Sequence, residues 1–282
     1  NITEATETVP LVIGGVTGTG SILDNETAPT IKTVEPGAPG AGDDSVTEGT
    51  NLVYTVTLSN PSSTPTEFSY TLGGGTASPT DYTSVSFSDG VTYDPVTGKI
   101  TVPAGVTSFT VTLPTVDDTI FEATETVPLV IGGVTGTGSI LDNDSAPNLV
   151  SLTRFSDGNE DGTSSPSWTL TMSNTSSTAT DAMLFFRDSE DGTATYGQDF
   201  TGVVKVYSLD GTLLQTVTVG NADVSSASGA ISIPAGMLSV RLVAEPKDDN
   251  IFEGDETKWA TTRCGAKQPS FMTMNPSPPS RR

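Results

Sequence analysis

The chain has 282 residues, of which 34% are hydrophobic, with 34 acids against 12 Lys and Arg, a formal charge of -22 and no histidine. The absence of His removes the usual general base, the Ser-His and Cys-His nucleophile pairs and imidazole metal sites, and the lone Cys264 cannot close an internal disulfide. No apolar run reaches the length of a membrane span, and a surface this acidic repels nucleic acid and anionic lipid while attracting divalent cations. Neither a nucleic-acid partner, direct membrane insertion of this fragment nor enzymatic activity is expected. The bases are unevenly placed: five lie in the last 25 residues, which hold no acid, so residues 1–257 carry -27. Gly, Ser, Thr, Val and Asp dominate, a composition of pleated strands and turns rather than helices, and an all-β protein is predicted. A small β module without disulfides often needs another staple, and a bound metal can be one.

Residues 1–28 recur almost letter for letter as 119–146, a shift of 118 that marks a tandem array. Residues 1–28 are read as the C-terminal end of a preceding module. A complete module follows at 29–146. Ile31 to Val34 can form its first strand, and the Pro/Gly-rich stretch Pro36 to Gly42 breaks the pairing. Leu52, Tyr54, Val56 and Leu58 alternate with Val53, Thr55 and Thr57, the period of a strand with one buried face. Phe68, Tyr70 and Leu72 continue the pattern; Val85 with Phe87, Ile100 with Val102, and Phe109, Val111 and Leu113 follow between turn signals. Val127 to Ile131 and Thr135 to Leu141, joined by Gly132-Gly133, end the module. About seven short strands per module predict tandem immunoglobulin-like β-sandwich modules.

A second module spans 147–257. Trp168, Leu170 and Met172 answer Tyr54, Val56 and Leu58, and an insertion of about a dozen residues is placed around Tyr207 to Ser228. After Glu256-Thr257 the pattern stops. Residues 258–282 read as a basic, aperiodic tail with four prolines, where a reading-frame change or artificial join is the preferred explanation and a natural disordered terminus the milder one. This module is therefore expected to lack its last strands.

The acids cluster most densely in Asp117-Asp118-Thr119-Ile120-Phe121-Glu122-Ala123-Thr124-Glu125, which returns as Asp248-Asp249-Asn250-Ile251-Phe252-Glu253-Gly254-Asp255-Glu256. So many carboxylates in nine positions repel one another unless a cation gathers them, and all-oxygen ligands of this kind suit calcium better than magnesium's strict octahedron. Glu48 lies in Val46-Thr47-Glu48-Gly49, Asp81 in Thr76 to Tyr82, Asp199 in Thr193 to Phe200, and Asp142-Asn143-Asp144 closes the complete module. Taken together and in this order, twice, these segments resemble the Calx-beta domain, known from sodium–calcium exchangers and large bacterial surface proteins. The resemblance covers nearly all of 30–257. It implies calcium ligands at one tip of a sandwich: Glu48, Asp81, Asp117, Asp118, Glu122, Glu125, Asp142 and Asp144 in the first module. In the second it implies Glu160, Asp199, Asp248, Asp249, Glu253 and Glu256, without a terminal Asp-Asn-Asp.

The resemblance implies a calcium-binding spacer repeat of an extracellular, cell-surface adhesin-like protein. Its partners would be neighbouring modules of the same chain, with a host or surface ligand met through other domains. Asp144 adjoins the linker Ser145-Ala146-Pro147, so a bound ion is expected to stiffen the joint. The alternatives are a calcium-sensing regulatory domain of a membrane-linked protein and a carbohydrate-binding adhesion module; a patch of exposed aromatics would favour the latter.

Overall fold

The computed structural model describes residues 2–38, 40, 42–187, 194–219, 229–248 and 259–264, and every regular element among them is a β-strand. They fall into two compact units, Asn1–Asp118 with Ala123–Asn143, and Thr119–Glu122 with Asp144–Arg282.

The strands run in chain order as β1 (Glu7–Ile13), β2 (Val16–Ile22), β3 (Ile31–Pro36), β4 (Ser45–Thr47), β5 (Asn51–Leu58), β6 (Thr66–Leu72) and β7 (Ser86–Phe87). Then come β8 (Thr92–Asp94), β9 (Lys99–Val102), β10 (Ser108–Pro114), β11 (Ile120–Phe121), β12 (Glu125–Ile131) and β13 (Val134–Leu141). All but β11 belong to the first unit. One sheet has the order β3-β5-β10-β7 and the other β4-β13-β12-β6-β9-β8. Because side chains alternate across a strand, β5 turns Leu52, Tyr54, Val56 and Leu58 inward, and its antiparallel partner β10 sets Leu113, Val111 and Phe109 opposite the first three. Val127, Leu129 and Ile131 of β12 complete the same core from the facing sheet, each with no exposed surface. Two sheets closed over one core make a β-sandwich. Each such side chain contributes roughly 1.5–3 kcal/mol by leaving water.

β13 crosses this core at close range through its glycines. A methyl group on Gly136 would come within 2.2 Å of the Val34 carbonyl oxygen, and one on Gly138 within 2.8 Å of Leu52. The Tyr54 phenol donates to the Val127 carbonyl, and burial pushes its pKa far above the ordinary phenol value.

β1 and β2 repeat β12 and β13 in both sequence and pairing. Glu7↔Ile22 through Ile13↔Val16 copies Glu125↔Ile140 through Ile131↔Val134. Gly14-Gly15 and Gly132-Gly133 all take positive φ, as a two-residue hairpin turn requires. Yet β1–β2 forms a two-stranded sheet of its own, exposed along its whole length.

The second unit adds β14 (Leu149–Ser156), β15 (Ser167–Met172), β16 (Thr175–Ser176), β17 (Thr180–Arg187), β18 (Phe200–Tyr207), β19 (Leu213–Thr218), β20 (Gly229–Ile233), β21 (Ser239–Pro246) and β22 (Trp259–Cys264). Its main sheets are ordered β14-β15-β21-β18-β19 and β20-β17-β22, around a core that includes Leu170, Leu184, Val206, Ile231 and Leu242. Part of the inserted segment becomes the edge strand β19 on β18. β11 pairs in parallel with β16, and Ser177 N–H donates to the Phe121 carbonyl at 3.0 Å. In the first unit Thr3 bridges Ser62 in the same sense, with Ser63 N–H donating to the Thr3 carbonyl at 2.9 Å.

β22 departs from the sequence expectation that no strand follows Glu256. It pairs with β17 so that Phe186 faces Ala260 and Leu184 faces Thr262. That is the register in which Leu72 faces Leu129 and Tyr70 faces Ile131 in the first unit. Ladder hydrogen bonds are made by backbone, so the edge of β17 can be met by a segment with no apolar alternation.

Candidate metal centre

Parallel pairing starts the first carboxylate group. β4 runs beside β13 with Ser45, Val46 and Thr47 opposite Ser139, Ile140 and Leu141, so the next residues out are Glu48 and Asp142. Glu48 N–H donates to the Leu141 carbonyl at 3.0 Å, which holds the turn against the strand end. Carboxylate oxygens of Glu48, Asp142 and Asp144 lie within 4.8 Å of one another. Glu48 is only 7% exposed, and the two aspartates are half-buried.

Asn143 organises this group, and the sequence reading did not single it out. Its backbone N–H donates to Glu48 Oε1 at 3.1 Å and its side-chain amide donates to Asp117 Oδ1 at 2.9 Å. The signal for it was its place between two acids, Asp142 and Asp144. Gly49, at φ 75°, lets Asp117 approach: a Cβ there would lie 2.9 Å from the Asp117 Cβ. Asp117 is therefore tied to the first group through Asn143 without belonging to it.

The second group contains Asp81, Glu122 and Glu125, all half-buried and again within 4.8 Å. Asp81 is positioned by its own turn, where its Oδ2 accepts from Ser78 N–H and its N–H donates to the Ser78 carbonyl at 3.2 Å. Val116 N–H donates to the Asp81 carbonyl at 2.8 Å, pinning that turn beside the end of β10. Ala77 N–H donates to the Thr126 carbonyl at 3.2 Å, which brings the same loop to the start of β12 and hence to Glu125. Of the eight acids picked out in the first module, six fall into these two groups of three. Asp117 and Asp118 are exposed and lie in neither.

In the second module, Asp199 repeats the environment of Asp81. Its Oδ2 accepts from Thr195 N–H, and Lys247 N–H donates to its carbonyl at 2.9 Å, as Val116 does to Asp81. Its Oδ1 is buried and has no hydrogen-bond partner among the described residues. A buried carboxylate oxygen without a donor is costly, and a cation is one way to satisfy it. Glu160 is half-buried in the loop after β14 and is in neither group; Asp248 is likewise in neither. Asp249, Glu253 and Glu256 lie outside the described residues.

The donor chemistry fits calcium. Both groups offer carboxylate oxygens from segments far apart in the chain, the hard oxygen donors that calcium takes. Other acids of the described surface serve as ion-pair partners instead: Glu67 with Lys99 at 3.0 Å and Glu245 with Lys205 at 3.1 Å. Carboxylates gathered within 4.8 Å repel one another when ionised, and a cation between them would offset that repulsion.

A separate cleft opens in the first unit. Tyr70, Thr71, Leu72, Thr83, Ser84, Val85, Phe87 and Tyr93 line it, with Tyr70 stacked at a tilt on Tyr93 (5.0 Å) and edge-on to Phe87 (5.6 Å). Burial pushes the Tyr70 phenol up to about 12.

No family model and no curated protein matches this chain. Solved structures do. Domains 4 and 5 of the S-layer protein SbsC match at 18% identity and TM-score 0.26, over 49% of this chain and 64% of that one, so this chain spans less than two thirds of that structure. The calcium binding domain CBD12 of CALX1.1 matches at 16% identity and TM-score 0.27, over 78% of this chain and 76% of that one. CBD12 from CALX1.2 matches at 16% identity and TM-score 0.28, over 83% and 79%.

Proposed function

We propose that this chain is a calcium-stapled structural repeat of an extracellular surface protein, with a mechanical rather than a catalytic role. The observation that carries the reading is the gathering of six acids from distant segments into two groups of three, Glu48 with Asp142 and Asp144, and Asp81 with Glu122 and Glu125. An ion bound at either group ties loops that the chain connects only through whole strands, so binding energy becomes folding energy. A module loose without calcium and closed with it suits a protein assembled outside the cell. Asp144 immediately precedes the linker Ser145-Ala146-Pro147, and the proposal includes a stiffer joint in the calcium-bound form. No helix among the described residues is long and apolar enough to cross a membrane.

Calcium titration of the exhaustively chelated chain tests this, read by calorimetry and by thermal melting. Heat of binding with a rising melting temperature supports the reading; a flat melting temperature with no heat sinks it. Millimolar affinity favours the spacer and micromolar affinity the regulatory sensor. A second reading has one observation in its favour: the cleft of Tyr70, Phe87 and Tyr93, edged by the hydroxyls of Thr71, Thr83 and Ser84, has the stacking faces and neutral polar groups that a sugar ring needs. A glycan array probed with wild type and Tyr93→Ala separates it from the spacer reading.

A further inference from the structure

The aromatic cleft of the first unit owes its shape to an irregularity at the edge of the sandwich. β7 and β8 each end their sheet, and the cleft takes its lining from both. Phe87 and Ser86 pair with Val111 and Thr112 of β10, and Tyr82 bridges Thr115 further along. Residues 83–85 therefore stand opposite only Leu113 and Pro114, with one residue in excess. A bulge of this kind bends a strand and re-aims its side chains. Here the bulged residues Thr83, Ser84 and Val85 all line the cleft.

The lining restricts the occupant. It holds no charged side chain, although the chain carries -22, and that field keeps anions away. Tyr93, 42% exposed and backed by Tyr70, offers a ring face, while Thr71, Thr83 and Ser84 offer hydroxyls. A ring face for C–H groups beside neutral hydrogen-bonding groups is the complement of an uncharged sugar. The volume, about 640 Å3, is in the range of small-ligand sites.

The bulge has a second attachment. Asp81, two residues before it, belongs to the second carboxylate group. Val116 N–H donates to the Asp81 carbonyl at 2.8 Å, and Thr83 N–H donates to the Pro114 carbonyl at 2.9 Å. Residues 81–83 are thus clamped to the end of β10 as one piece. They also pack on the end of β6, where a Cβ on Gly73 would lie 3.1 Å from the Tyr82 hydroxyl oxygen. Little slack separates the Asp81 carboxylate from the wall of the cleft.

We infer that the cleft binds a neutral saccharide, and that an ion held by the Asp81 group raises its affinity by fixing the bulge. The inference rests on calcium at that group and on sugar as the occupant of the cleft. Repulsion among the ionised acids pulls against the position of Asp81. An ion offsets that pull and keeps Thr83 and Ser84 where they meet the ligand. Such coupling is reciprocal: the sugar must tighten calcium by the factor by which calcium tightens the sugar.

Calorimetric titration of the full 282-residue chain with maltotetraose, cellotetraose and chitotetraose, in chelator and in saturating calcium, tests the inference. At least one should bind, about fivefold or more tightly with calcium, and should raise the calcium affinity equally. Glu125→Gln should erase most of the difference between the two buffers. Tyr93→Ala should lose saccharide binding yet keep the calcium-dependent rise in melting temperature, which shows it folded. The inference falls if none of the three binds, if binding is equal in both buffers, or if Tyr93→Ala binds like wild type. In those cases a melting temperature that still rises with calcium leaves the calcium-stapled repeat standing. A flat melting temperature with no heat of calcium binding overturns that reading instead, and the coupling with it.

Discussion

Glu7–Leu23 and Glu125–Leu141 are the same 17 residues in the same hairpin register, and they end in opposite environments. Val127, Leu129 and Ile131 have no exposed surface, while Val9, Leu11 and Ile13 are 51–71% exposed. Local chemistry is thus sufficient for the turn and the antiparallel ladder: two glycines at positive φ, then alternating β-branched residues. It does not decide whether the apolar face is covered. That depends on β6, β4 and the β3-β5 face, none of which is adjacent in sequence. A two-stranded ribbon alone is marginal in water, so the first hairpin carries an apolar face with little stability of its own to hold it.

Paired substitutions turn this contrast into measurements. The largest gap is expected for leucine. Leu129→Ala should cost the first unit about 2–5 kcal/mol in denaturant unfolding through lost burial and an unfilled cavity. Leu11→Ala should stay within about 0.5 kcal/mol. A similar loss for both would mean that the first hairpin is covered after all.

Calcium should separate the copies next. Glu125→Gln removes a member of the second carboxylate group and should abolish most of the calcium-dependent rise in melting temperature that the group supplies. That rise corresponds to about 2.7 kcal/mol at a hundredfold excess over the dissociation constant. Glu7→Gln, the equivalent change in the first hairpin, should leave the calcium titration unaltered.

Glycine gives a smaller but cleaner test, because only space differs. Gly136→Ala drives a methyl to 2.2 Å from the Val34 carbonyl oxygen and should destabilise by about 1–3 kcal/mol. At Gly18 nothing lies within 4 Å, and Gly18→Ala should be neutral or slightly stabilising in the same unfolding assay. The smallest effect is expected at Tyr54. Tyr54→Phe keeps the ring in the core but removes the donor to the Val127 carbonyl, and should cost about 1–2 kcal/mol in thermal unfolding. Its interest is that this hydrogen bond exists for only one hairpin copy.

Most of the first unit was legible because its strands are half-buried. The alternation of Leu52, Tyr54, Val56 and Leu58, and of Phe109, Val111 and Leu113, reports the face that turns inward. The acids were legible as residue types, and their division was not. Asp81 joins Glu122 and Glu125 because the Ala77 and Val116 hydrogen bonds anchor its loop, and Glu48 joins Asp142 because β4 runs parallel to β13. Neither pairing has a local signature. β22 escaped for a different reason: strand periodicity reveals a buried face, whereas Trp259–Cys264 is placed by backbone pairing to β17.

By itself, then, the sequence determined the half-buried strands of the first unit, which face of each is apolar, where the chain reverses, and that oxygen ligands sit in its loops. These follow from backbone preferences and side-chain polarity over a few neighbouring residues. Only the tertiary structure decided which of two identical hairpins is covered and which three acids meet at each candidate ion site. Burial and carboxylate spacing depend on strands brought together from opposite ends of a module, and no stretch of sequence contains its own partner.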